Sequence, residues 1–187
     1  MPLTPNGLVD TLSKYQKKLA DDGADATEGL KYLADACNEY FSDNTTVSFS
    51  WVALMPPPAS TPDPVTSFTT SDVTFNFSFV MPGHSVDTPL PVMKAGFGME
   101  FMAGVNTALI STSPQVLTPP AMFLAPAPLV LENTFPYDRE FDIEESNLSL
   151  ANQLINYVKS AVNPIPFPGI NGSFTVPSPG ATMLSIS

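Results

Sequence analysis

The chain has 187 residues, of which 43% are hydrophobic and only 13% are charged, so it can form a core but has few charges for its surface. Its formal net charge is −11, and its one basic cluster is Lys14, Lys17 and Lys18. Because phosphate contacts need grouped Lys and Arg, this balance excludes tight nucleic-acid binding. A single cysteine excludes an internal disulfide and a cysteine-based metal site.

The chain begins with a predicted extended N-terminal arm (1–6), which lacks the basic and apolar regions of a signal peptide. Two amphipathic helices are predicted next, over about 7–20 and 26–41, with Asn6 as the cap of the first. The short loop between them predicts an N-terminal helical hairpin.

The second helix has two features of its own. Asp25 followed by Glu28 predicts a capping box at its start. Cys37 lies on its apolar stripe, and nothing nearby in the sequence would lower the pKa of the thiol. We therefore expect a small buried hydrophobe rather than a reactive cysteine.

Two segments then alternate apolar and polar residues, which is typical of strands. Residues 46–54 and 71–80 are predicted to pair as an antiparallel sheet with one aromatic face. That face includes Phe75, Phe77 and Phe79. The proline-rich segment 55–64 between the two strands predicts a stiff exposed loop.

The stretch 92–111 is apolar on almost every side and is rich in Met, Gly and Ala. It predicts a central apolar helix that is either buried or a subunit contact; a strand pair is the competing interpretation. Glycine lowers helix propensity, so its glycines are tolerated if another backbone packs closely against them. Lys94 and Glu100 interrupt the stretch, so no membrane span is expected.

Prolines break the next segment, 112–129, although parts of it are strongly apolar. Apolar residues in such a segment are unusual for a free loop and predict an arm that lies on a neighbouring surface. Together with the central helix, it supplies the residues that we predict to form a subunit interface: Phe97, Met99, Phe101, Met102, Met122, Phe123 and Leu124.

A late amphipathic helix is predicted over 147–162, capped by Ser146 and followed by a proline-rich C-terminal arm (163–187). An acidic run precedes the helix. Its spacing does not match an EF-hand loop, so a solvated acidic face is favoured over a calcium or magnesium site, and no metal or cofactor is predicted. The carboxylates that would be the ligands are Asp138, Glu140, Asp142 and Glu145.

His84 is the only histidine, so a hydrolase with a Ser-His-Asp or Cys-His arrangement would have to use it. It follows Met81-Pro82-Gly83, which favours a histidine in a surface turn. A peptide- or carbohydrate-binding module that uses the aromatic sheet face or the proline-rich loops is the other alternative.

These elements predict a single α+β domain over 1–187: a helical hairpin, an aromatic-rich antiparallel sheet, a central apolar helix, a late amphipathic helix, and extended loops and arms. Sparse charge, apolar segments beside prolines and extended ends favour a structural subunit over an enzyme, because permanent interfaces resemble a divided core.

In this overall character the chain resembles virion structural proteins of tailed bacteriophages, of the neck, tail-terminus or baseplate type. The resemblance implies a ring-forming subunit that contacts copies of itself and other virion proteins through extended loops. It also implies a virion location after assembly in the host cytoplasm. The acidic balance would suit a lumen through which DNA passes without binding.

Overall fold

The structure is a computed structural model that describes the backbone of residues 3–53, 66–81, 85, 87–112, 129–131, 142–160, 170–171, 174–175 and 183–186. In the strands and in residues 109–112 only the backbone is described. The proline-rich loop 55–64, most of 112–129 and most of 163–187 lie outside the described residues.

The packed body of the described structure is all-helical, and the predicted α+β class is wrong. The four helices are α1 (Pro5–Asp21), α2 (Gly29–Asn44), α3 (Leu90–Thr112) and α4 (Ile143–Ser160). A 3-10 turn, Ala26–Glu28, precedes α2. Helix α1 packs against α2 and α4, and rings of α2 and α4 contact Phe101 of α3.

The strands pair with one another through backbone hydrogen bonds. Because their side chains are not described, they contribute no described contact to the helical core. The strands are β1 (Thr46–Ala53), β2 (Thr66–Thr74), β3 (Ile170–Asn171), β4 (Phe174–Thr175) and β5 (Met183–Ile186). One set of paired strands has the order β2-β1-β5 and the other joins β3 to β4, and all pairs are antiparallel.

The sheet prediction failed at the aromatic segment 75–81, which is extended but belongs to no strand. Its phenylalanines are buried and alternate with exposed residues, as the pattern indicated. Its backbone, however, bonds to side chains of α2. The Asn38 amide donates to Phe79 O at 2.8 Å and accepts from Phe79 N at 3.0 Å, while Ser42 Oγ donates to Phe77 O at 2.8 Å. Side chains of a helix thus take the place of a neighbouring strand.

The core centres on an aromatic cluster around Phe101 of α3. Phe101 is fully buried, and its ring centroid lies 5.1 to 6.2 Å from those of five other rings. Most of these pairs are tilted or edge-to-face, which is the favoured geometry for aromatic contacts. The five rings belong to Phe41, Phe77, Phe79, Phe97 and Tyr157.

All four predicted helices are present, but three begin differently from the prediction. Thr4 rather than Asn6 caps α1, and its Oγ1 accepts from Gly7 N. Asp25 accepts from Thr27 N in the 3-10 turn instead of forming a capping box with Glu28. At α4 the carboxylate of Asp142 accepts from a first-turn amide, and the predicted cap, Ser146, is buried inside the helix. Helices α1 and α4 are therefore capped by a polar residue earlier in the chain than predicted, and α2 is preceded by a 3-10 turn in place of the predicted capping box.

The predicted N-terminal arm is docked on its own subunit where it is described. The side chain of Leu3 is buried, and its carbonyl accepts from Lys159 Nζ at 3.2 Å. Tyr40 OH accepts from Thr4 N and donates to Thr4 O, both at 2.8 Å. These contacts join the start of the chain to α2 and α4.

Candidate functional site: the outer face of the central helix

Helix α3 presents apolar residues on two opposite faces. The inner face is fully buried and includes Phe97, Phe101, Val105 and Ala108. The opposite face, here called the outer face, is open: Val92 is 58% and Met99 60% exposed. The outer face consists of Val92, Ala95, Gly96, Met99 and Ala103, followed by the half-buried Asn106, while the half-buried Met102 at its edge packs against the core.

Two extended segments flank the outer face, and glycines of α3 allow their close approach. A Cβ at Gly104 would lie 3.1 Å from Ser78 O in the aromatic segment. A Cβ at Gly98 would lie 2.7 Å from Leu129 O in the segment 129–131. The prediction that backbones pack against these glycines is therefore confirmed. Gly96 is different, because its Cβ would have no neighbour within 4 Å.

Each of these two segments also has an exposed apolar residue, since Val80 is 75% exposed and Val130 is 80% exposed. The six exposed large hydrophobic residues among the described ones are these two, Val92 and Met99 on α3, and Ile143 and Leu148 on α4. Single exposed apolar residues are ordinary, so the outer face is identified by Val92 and Met99, which lie on one side of α3.

The outer face is also nearly free of charge. At 100° per residue, Glu100 projects from its edge and Lys94 lies on the far side of the helix, towards the buried face. The remaining outer-face residues are uncharged in a chain of net charge −11. Such a surface has no acid, base or nucleophile with which to do chemistry, and its composition suits a protein–protein contact.

The predicted interface residues divide between the two faces and the segment beyond. Phe97 and Phe101 are in the core and cannot contact a partner, Met99 belongs to the outer face, and the half-buried Met102 packs against the core. Residues 122–124 lie outside the described residues. Sequence reasoning missed Val92. Val92 lies seven residues before Met99, a helical spacing that could have indicated a shared face.

The candidates for chemistry fall largely outside the described residues. His84, Asp138 and Glu140 are among the residues not described. Asp142 is the N-cap of α4, and Glu145 follows on the first turn. Among the described residues, no cluster of three or more acidic, His or Cys side chains is arranged to hold a metal ion.

Two of the three lysines in the basic cluster of α1, Lys14 and Lys18, contact residues of their own subunit. Lys14 Nζ lies 2.6 Å from Glu39 Oε1, and Tyr15 OH donates to Glu39 Oε2 at 2.8 Å. The hydrogen bonds from Lys14 and Tyr15 lower the pKa of Glu39 below its ordinary value. Desolvation and the bond to Glu39 raise the pKa of Tyr15 to about 12. Lys18 lies over the Tyr15 and Tyr32 rings at 5.5 and 6.0 Å.

Cys37 is fully buried, and burial raises the pKa of its thiol. The predicted burial of Cys37 as a small hydrophobe is therefore confirmed. Tyr157 OH is also buried and makes no hydrogen bond, and desolvation raises its pKa. Its ring is one of those around Phe101, so it serves the core.

None of the helices that the structure describes combines the length and apolarity that a bilayer crossing requires, α3 included. Comparison with protein-family models, with curated proteins and with solved structures gave no match to this chain.

Proposed function

We propose that the chain is a structural subunit that assembles with copies of itself. The observation that carries the proposal is the outer face of α3, which exposes apolar side chains in a chain with few charges. A soluble monomer seldom leaves such a surface open, because covering apolar area is favourable by about 25 cal/mol per Å². A partner that covers it would remove this surface from water.

The proposal extends to the setting that the overall character of the chain suggests. We infer a component of a tailed-phage virion, at the neck, tail terminus or baseplate, that contacts other virion proteins as well. Ring formation would use the extended loops, with 55–64 and 112–129 as the candidates. A net charge of −11 would keep a ring lumen from binding the DNA that passes through it.

The binding-module alternative rested on the aromatic sheet face or the proline-rich loops, and the loops lie outside the described residues. Phe75, Phe77 and Phe79 are at most 6% exposed and pack into the helical body, so they form no open aromatic platform. For the hydrolase alternative, His84 lies outside the described residues. No described geometry supports either function.

The test is the molar mass of the purified protein by light scattering over a concentration series, repeated by native mass spectrometry. We expect a discrete oligomer, or a mass that increases with concentration. A mass of 20.0 kDa at every concentration, with no change when candidate partner proteins are added, would contradict the proposal.

A further inference from the structure

We propose that Asn6 is a site of spontaneous deamidation, and that the docking of residues 3–4 on α2 and α4 sets the rate of this reaction. Deamidation begins when the backbone nitrogen of the next residue attacks the side-chain amide carbon of asparagine. The reacting unit is therefore the pair Asn6-Gly7. It lies within one subunit and does not depend on the proposed self-assembly.

The sequence makes this pair chemically reactive. The chain has two Asn-Gly pairs, Asn6-Gly7 and Asn171-Gly172, and Gly172 lies outside the described residues. A glycine after asparagine favours the attack, because it has no side chain to shield its nitrogen and its backbone turns freely. The side chain of Asn6 is exposed, so water reaches its amide. Asn6 thus has both the neighbour and the exposure that the reaction needs.

Packing accounts for the glycine at position 7. A Cβ on Gly7 would lie 3.1 Å from Tyr40 Cε2 and 3.2 Å from Tyr40 OH. Tyr40 is 4% exposed, and its hydroxyl bonds to both Thr4 N and Thr4 O at 2.8 Å. A side chain at position 7 would have to displace this ring from the segment that it holds. The contact that docks the start of the chain therefore also requires the glycine that makes Asn6 reactive.

The folded first turn of α1 opposes the reaction in two ways. Asn6 is the second residue of α1. In the ring that forms, Gly7 N lies close to the plane of Asn6 C, Cα and Cβ, whereas a helical ψ of about −42° turns the nitrogen out of that plane. The Gly7 N–H also donates to Thr4 Oγ1 at 3.2 Å, and an amide held in this way loses its proton less readily. Asn6 therefore reacts when the first turn opens and is protected while it is closed.

Docking of residues 3–4 controls this opening. The side chain of Leu3 is buried in the core, and Leu3 O accepts from Lys159 Nζ at 3.2 Å. Together with the bonds from Tyr40, these contacts join the residues just before α1 to α2 and α4. Local opening is fast compared with deamidation, so the rate follows the population of the open form. Each docking contact therefore slows the reaction at Asn6.

The reaction has two products with opposite effects on the docked segment. A bond forms between Gly7 N and Asn6 Cγ, the Cγ–Nδ2 bond breaks, and ammonia leaves with the proton of Gly7 N. Water opens the resulting cyclic imide at Cγ to give aspartate, or at the backbone carbonyl carbon to give isoaspartate. Aspartate adds a negative charge in the first turn of α1, where the helix dipole favours it. Isoaspartate adds a methylene group to the main chain between Thr4 and Gly7, so the first turn no longer fits the contacts of Tyr40.

Mass spectrometry of proteolytic peptides tests the site, because deamidation converts an amide into an acid of higher mass. The purified chain is incubated at mildly alkaline pH, with and without denaturing urea. In urea Asn6 and Asn171 should deamidate at similar rates, since both are then followed by an unrestrained glycine. Without urea the Asn6 rate should be at least about tenfold lower than in urea. No deamidation of Asn6 in urea would overturn the site, and equal rates in both conditions would overturn its protection by the fold.

Removal of one hydroxyl group tests the control by docking. Tyr40→Phe keeps the ring and removes both hydrogen bonds to Thr4, so it should raise the Asn6 rate without urea about tenfold. Tyr32→Phe is the matched control. It removes the hydroxyl that donates to Asp22 Oδ2 at 2.7 Å near the other end of α1, and should leave the Asn6 rate unchanged. An equal acceleration by both variants, or none by Tyr40→Phe, would overturn the control by docking.

Substitution of the cap tests the same opening with the Tyr40 ring left in place. Thr4→Ala removes the hydroxyl that accepts from Gly7 N but keeps the Thr4 backbone, which bonds to Tyr40. It should raise the Asn6 rate about fivefold, and Thr4→Ser should restore the wild-type rate. Circular dichroism verifies that each variant is folded before its rate is compared. An Asn6 rate that Thr4→Ala leaves unchanged would overturn the protection by the first turn.

Discussion

Helices α3 and α4 both bury one face in the same core, but their other faces differ. The outward side of α4 carries the charged residues Glu144 and Glu145, which water solvates, beside the partly exposed Ile143 and Leu148. The outward side of α3 carries Val92 and Met99, which water does not. An amphipathic helix buries its apolar surface with one packing partner, whereas a helix that is apolar on two faces needs a packing partner on each face. The proposed self-assembly rests on this open apolar face of α3.

The largest effect should come from the inner face of α3. Phe101→Ala removes the ring at the centre of the aromatic cluster and should lower the free energy of unfolding by about 4 kcal/mol. Met99→Ala, two residues away on the outer face, should cost below about 1 kcal/mol in the monomer. Urea unfolding at low protein concentration measures both. Equal losses would show that the two faces are not distinct.

A smaller loss should follow when the aromatic segment loses its attachment to α2. Asn38→Ala leaves Phe79 N and Phe79 O without their partner and should cost about 2 kcal/mol. Asn152→Ala on α4 is the control, because its amide bonds only to Leu148 O in its own helix. It should change stability by less than about 0.5 kcal/mol. A similar effect of both substitutions in urea unfolding would argue against this attachment.

The glycines of α3 should respond with opposite signs. Gly98→Ala places a Cβ 2.7 Å from Leu129 O and should destabilise the subunit by about 1 to 2 kcal/mol, because a backbone segment must move. Gly96→Ala meets open space and should stabilise the helix by about 1 kcal/mol through propensity. Thermal unfolding at a concentration below that of assembly distinguishes them. Destabilisation by Gly96→Ala under those conditions would mean that this position is not open.

The smallest effect should come from the polar link between α1 and α2. The hydrogen bonds from Lys14 and Tyr15 lower the pKa of Glu39, so this link stabilises the fold above the ordinary carboxyl pKa of 4.5. The stabilisation is lost as the pH falls through the lower pKa of the folded state. Because Lys14 is 63% exposed, Glu39→Gln should cost below about 1 kcal/mol at pH 7. Urea titrations should show this cost shrinking below pH 4.5, and a cost that grew in acid would contradict the assignment.

The helices were largely predictable because their patterns are local. The apolar stripe of α2 (Leu30, Leu33, Ala34, Cys37 and Phe41) is buried as its spacing indicated. The helix starts were less predictable, since Thr4, Asn6, Asp142 and Ser146 are all acceptable caps. Which of them caps the start of a helix depends on how the preceding segment packs against the rest of the protein.

The sheet prediction failed for a reason that lies outside the aromatic segment. Alternation of Phe75, Phe77 and Phe79 shows that the backbone is extended, because side chains of an extended chain point to opposite sides. It does not show what bonds to that backbone. Here Asn38 and Ser42 of α2 do so, and neither residue has a spacing that reveals this role.

The candidate site was predictable in its helix but not in its face. The sequence by itself determined that 92–111 would be apolar on almost every side, and it favoured a helix over a strand pair, because these properties follow from composition and short-range spacing. Only the tertiary structure decided that Phe97 and Phe101 enter the core and that Val92 and Met99 remain open. A helix that is apolar all round has no preferred inward direction of its own, and the segments packed at Gly98 and Gly104 set that direction.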